Sequence, residues 1–149
     1  MAQVDLAHLA QDIARELSPR AVAQKVDLGY EGDEHAWMQG SAVLLREAVT
    51  NLIDNALRYG VNRDANNEPT ITVSVHQLDG HVELVVEDNG LGLSDSHREQ
   101  VFERFWRSSD LPGGCGLGLS IVQEIARRHS GEARATSVTP HGLRLTLHF

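Results

Sequence analysis

The sequence predicts an α+β fold, a two-layer α/β sandwich whose mixed, mostly antiparallel sheet carries helices on one face. Two observations carry this prediction. Apolar residues recur at helical spacing in separated segments, and they alternate at strand spacing in a hairpin and in a closing strand pair. At 149 residues, with 41% apolar and 23% charged residues, the chain suits a single globular domain spanning 1–149.

Taken in order, "DLAHLAQDIAREL" places Leu6, Leu9, Ile13 and Leu17 on one helical face, and Pro19 should disturb or end that helix. "KVDLGYEG" and "HAWMQG" are short strand candidates on either side of the turn-like "EGDE". "SAVLLREAVTNLIDNALRYG" is a long helix, with Ser41 as its N-cap and Gly60 as its stop. A polar loop, "GVNRDANNEP", leads to "TITVSVHQ" and "HVELVVED", which alternate around "LDG" as a β-hairpin. The segment from Asn89 to Ser120 is rich in Gly and Ser and holds one short helix, capped by Ser96 with Glu99. "LGLSIVQEIARRHSG" is a further helix, and "EARATSV" and "LRLTLHF" close the chain as strands across "TPHG".

Composition excludes several classes. A net charge of −8 opposes a grip on nucleic-acid phosphates, which needs a basic face. No apolar run approaches the roughly 18 residues of a membrane span, so direct membrane contact is not expected. A single cysteine, Cys115, leaves no internal disulfide and no cysteine-based zinc site. The basic residues are twelve arginines and one lysine, and Lys25 follows Gln24, so no phosphate-binding Gly-Lys-Ser/Thr loop is present.

Three stretches carry chemistry. On the long helix Glu47, Asn51, Asn55 and Arg58 step by four, four and three residues and form one stripe beside the apolar arc. Neutral amides are poor helix formers, but their carbonyl oxygens can hold magnesium without adding charge to a crowded phosphate site. A carboxylate one turn away can take a proton, and an arginine can hold a phosphate. A solvated polar helix edge would give the same pattern. In "EDNGLGL", Asp88 ends a strand ahead of Gly90 and Gly92, which fits an acceptor for the exocyclic amine of a flat base. An Asn-Gly hairpin turn is the plainer alternative. In "GGCGLGLS", glycines entering a helix can aim N–H groups at an anion, although a simple hinge loop would look alike.

In combination these stretches resemble the sensor histidine kinases. "LREAVTNLIDNALRYG" looks like their N box, "DNGLGL" their G1 box, "VFERFWR" their F box and "GGCGLGLSIV" their G2 box. The resemblance covers nearly the whole chain and implies the catalytic, ATP-binding domain of a bacterial two-component kinase, with ATP and Mg²⁺ as cofactors. It implies that Asn55 with Asn51 binds magnesium, that Glu47 orients or deprotonates the nucleophile, and that Arg58 touches a phosphate. Tyr59 would lie along the adenine, and Asp88 would bind its amine in a pocket shaped by Gly90 and Gly92. Residues from about 94 to 115 would form the mobile lid, in which Phe102 and Phe105 would anchor it or meet the neighbouring domain and Arg104 would face the phosphates. Gly114, Gly116, Leu117 and Gly118 would wrap the triphosphate.

Some positions depart from the family pattern. Cys115 stands where Ser or Thr is commoner, Leu143 follows Gly142 where a hydroxyl is commoner, and no phosphoacceptor box is present. His8 lacks the flanking acid of such a box, and the other histidines show no metal-ligand spacing. The resemblance therefore implies an excised catalytic domain whose partners are its own dimerising histidine-phosphotransfer domain and a downstream response regulator. It implies a cytoplasmic domain of a parent in the bacterial inner membrane. An anti-sigma-factor serine kinase of the same fold, or a nucleotide-binding module without transfer activity, are the alternatives. The F box-like "VFERFWR" argues against the serine kinase.

Overall fold

The computed structural model describes residues 1–61, 68–92, 98, 100–102 and 118–149. The order is β1 (Ala2–Asp5), α1 (Leu6–Ala23), β2 (Asp27–Tyr30), β3 (Trp37–Gly40), α2 (Ala42–Tyr59), β4 (Thr70–Leu78), β5 (His81–Asp88), α3 (Gly118–Arg128), β6 (Glu132–Ser137) and β7 (Leu143–His148). Five strands form the main sheet in the order β2-β4-β5-β7-β6, and β1 pairs separately with β3. Among the described residues only β2 and β4 run parallel, so the sheet is mixed and mostly antiparallel, as predicted.

Strand period decides which face is covered. Ile71, Val73 and Val75 on β4, Val82, Leu84 and Val86 on β5, and Leu143, Leu145 and Leu147 on β7 are all buried. The intervening residues, such as Ser74, Glu83, Glu87 and Thr146, point to the other, open face. The helices supply the matching apolar arcs, with Leu6, Ala10 and Ile13 from α1, Leu45, Val49 and Leu52 from α2, and Val122 and Ile125 from α3. Helix α2 starts where Ser41 Oγ accepts the Leu44 N–H at 3.3 Å, and it ends at Gly60. The buried His129, just past α3, ties the two helices together. Its Nδ1 meets the Ile125 carbonyl at 2.8 Å, and its Nε2 accepts the Ser41 N–H at 3.0 Å, which selects one neutral tautomer.

One expectation is corrected here. Helix α1 does not stop near Pro19 but runs through it to Ala23. The lost hydrogen bond is offset by tertiary contacts, because Ala21 is buried and Arg20 pairs with Asp54 of α2. The short strands β2 and β3 part company: the first adds to the edge of the main sheet, and the second pairs with β1, a strand that no periodicity in the sequence predicts.

Candidate nucleotide site

The end of α2, the turn after β5 and the start of α3 converge on one rim. Along α2, Glu47 and Arg58 are exposed, while Asn51, Asn55 and Tyr59 are half-buried. This is the intermediate position that a stripe bordering an apolar arc must take. A Cβ on Gly118 would stand 3.7 Å from Asn51 Oδ1, so the first turn of α3 opens beside the amide stripe. The early N–H groups of a helix have no partners within it, and they bring the positive end of its dipole.

Arg58, expected to touch a phosphate, is paired along its own helix. Its Nε donates to both carboxylate oxygens of Asp54, at 3.1 and 3.2 Å, and Asp54 also receives Arg20 from α1. The side of α2 next to the stripe is tied to α1, because Arg46 pairs with Glu16 and Asp54 with Arg20.

Asp88 is the buried carboxylate of this rim, only 6% exposed at the end of β5. Its Oδ1 accepts the N–H of Gly90 at 2.9 Å and of Leu143 at 3.2 Å. Among the described residues both bonds go to this one oxygen, while Oδ2 faces Gly60, where a Cβ would stand 2.3 Å from it. Burial pushes the Asp88 carboxyl up to about 6, against the pull of the two N–H bonds. The departure at Leu143 leaves the Asp88 contact intact, since the bond comes from the main chain.

Three further residues hold Asp88 in place. Asn89 accepts the Thr70 N–H at 2.9 Å and donates to the Glu68 carbonyl at 2.8 Å, clamping the start of β4 to the end of β5. His141 Nδ1 lies 2.9 Å from the Gly90 carbonyl. Gly142 has φ +135°, and a Cβ there would sit 2.1 Å from the Asp88 carbonyl oxygen. Gly90 packs against the Gly60 carbonyl and Gly92 against that of Gly142, so the expected pocket-shaping glycines are in close contact. From the sequence Gly60 reads only as a helix stop, and Asn89, His141 and Gly142 carry no site role. The Asn-Gly pair hinted at the first, but no local signal marks a glycine so far along the chain. Gly142→Ala should therefore cost roughly 1–3 kcal/mol in backbone strain, with the collision in addition. Urea unfolding measures the loss, and an unchanged midpoint would count against this packing.

Phe102 is buried in the core, as is Val101. Arg104, Phe105, Gly114, Cys115, Gly116 and Leu117 lie outside the described residues, as do Ser96, Glu99 and most of the expected lid at 94–115.

Comparison with known proteins places the fold in a family. The family model of histidine kinase-, DNA gyrase B- and HSP90-like ATPases matches residues 40–149, and the chain belongs to that family. Within it, the chain is similar to the sensor histidine kinases. It is 38% identical over 127 residues, 83% of its length, to the signal transduction histidine-protein kinase/phosphatase MprB of Mycolicibacterium paratuberculosis. The solved mycobacterial sensor histidine kinase MprB superposes with a TM-score of 0.83 at 28% identity, covering 99% of this chain and 95% of that one. Full-length ShkA, solved in complex with AMPPNP, gives a TM-score of 0.82 at 22% identity, covering 99% of this chain and 30% of that one. This chain spans about a quarter of the length of the curated relatives that it matches first. Among the described residues no helix is long and apolar enough to cross a membrane.

Proposed function

We propose that the chain binds ATP with magnesium and transfers the γ-phosphate to a histidine on a separate helical domain. The observation that carries this reading is the pairing of a buried, glycine-walled carboxylate, Asp88, with the amide stripe of α2 beside the first turn of α3. A base-recognising acceptor and an anion-recognising helix start then share one rim. Asp88 Oδ2 takes the adenine amine, Tyr59 flanks the ring, and Gly90 and Gly92 let it approach the main chain. Gly118 and the N–H groups that follow it face the phosphates, and the family resemblance assigns Gly114, Gly116, Leu117 and Arg104 to the same group.

The amide oxygens of Asn51 and Asn55 fit magnesium, which prefers hard oxygen donors and retains waters. Bound there, the ion supplies neutralisation of phosphate charge. Glu47, exposed one turn from Asn51, orients the acceptor imidazole and takes its proton as the nitrogen attacks γ-phosphorus and ADP leaves. Arg58 serves the phosphates only after exchanging Asp54 for them, a modest cost for an exposed pair.

The partners are the dimerising histidine domain of the parent and then a response regulator, with the parent anchored in the bacterial inner membrane. Incubation with radiolabelled ATP and that histidine domain tests the reading. Slow labelling of the added domain, lost in acid, is the expected result. An acid-stable product, or strong labelling of this chain alone, would overturn it.

A further inference from the structure

We propose that His81, Glu83 and His148 form a binding site for a divalent transition cation of the zinc class, on the open face of the sheet. One ligand atom from each of the three lies within 4.8 Å of the others. Strand geometry brings them together. His81 and Glu83 are two residues apart on β5 and share a face, and Glu83 stands directly opposite His148 of β7 in the antiparallel register. His148 Nδ1 and Glu83 Oε1 are 3.2 Å apart, close to the separation of about 3.4 Å between ligands of a tetrahedral ion with bonds near 2.1 Å. The two imidazoles lie with ring centroids 4.2 Å apart and planes tilted by 31°.

The surroundings support a metal rather than a simple ion pair. His81 Nδ1 lies 3.2 Å from the Asp79 carbonyl, a donor contact that leaves the lone pair on Nε2 and holds the ring, as outer partners of metal-bound histidines do. Glu83 and His148 also line a shallow concavity of about 460 Å³, so water can reach a fourth position. The flanking groups on the same cross-strand row are otherwise engaged: His76, opposite Glu83, lies 3.6 Å from Asp33, and Glu132, opposite His148, pairs with Arg134. Two imidazoles and a carboxylate select zinc, copper or nickel over magnesium, which wants oxygen alone. The ion of the proposed nucleotide site is therefore no competitor. The two sites also lie on opposite faces of β5, because Glu83 alternates with the buried Leu84, Val86 and Asp88.

Calorimetry and thermal melting of the whole chain with zinc chloride alone, without nucleotide, test this site. One equivalent of zinc should bind near neutral pH and raise the melting temperature. EDTA should reverse the rise, and magnesium chloride should not reproduce it. A change to an outer partner of a metal site typically weakens binding 10–100-fold, so His81→Gln or His148→Gln should each lower zinc affinity by at least about tenfold. His8→Gln and His35→Gln, exposed histidines elsewhere, should bind zinc as the unaltered chain does. Imidazole NMR of the unaltered chain gives a readout independent of any variant, with His81 and His148 shifting together on zinc addition. Unchanged affinity in both glutamine variants, equal losses in the His8 and His35 variants, or shifts spread over all eight histidines would overturn the proposal.

Discussion

Replacing Asn55 with Ala abolishes transfer to the histidine domain while leaving this domain folded. Asn55 is half-buried on the rim, so its removal opens no core cavity, and Ala is the better helix former by roughly half a kcal/mol. Stability should hold or rise slightly. Transfer should fall by at least on the order of a hundredfold, the size typical when one group that stabilises transition-state charge is deleted. Glu47→Gln is the contrasting variant. It keeps shape and nearly all nucleotide affinity but removes the proton acceptor, so the rate falls at saturating ATP. Rates measured in trans at several magnesium concentrations separate the two. Rescue of Asn55→Ala by excess magnesium would identify weakened metal binding, and full activity without added magnesium would remove Asn55 from that role.

Asp88→Asn moves binding and stability in opposite directions. The amide oxygen can still accept the N–H groups of Gly90 and Leu143, so the local frame survives. Its nitrogen then occupies the position of Oδ2 and presents a donor to the donor amine of adenine. An unsatisfied buried group of this kind costs about 1–3 kcal/mol, or roughly ten- to a hundredfold in ATP affinity. Folding responds the other way. A carboxyl raised from 3.8 to about 6 in the folded state binds its proton more tightly there than in the unfolded chain. Its ionisation therefore costs nothing below about pH 4, and the cost grows to full size above about pH 6. At about 1.4 kcal/mol per unit the penalty reaches order 3 kcal/mol, which Asn does not incur. The variant should gain stability over the unaltered domain as pH rises through that window. Urea unfolding of both proteins from pH 4 to about 8 reads the difference, and parallel profiles would show that Asp88 is not held in its raised state.

The sequence by itself determined the elements whose signal is contiguous. Helix α2 and the β4–β5 hairpin are legible because burial on one face writes a period of 3.6 or 2 into neighbouring residues. The position of Asp88 at the end of β5 followed from that hairpin, and the placement of Asn51 and Asn55 beside the apolar arc followed from the helix. Tertiary structure alone decided the rest. Whether a helix survives Pro19 depends on what Ala21 and Arg20 find to pack and pair with. Whether Arg58 is free depends on where its own neighbour Asp54 points, and Asp54 answers to α1 as well. The walls around Asp88 come from Gly60 and Gly142, and the His81, Glu83 and His148 cluster comes from both ends of the β5–β7 pairing. Such neighbours are set by strand register and layer stacking, properties of the whole chain that leave no periodic trace in any one segment.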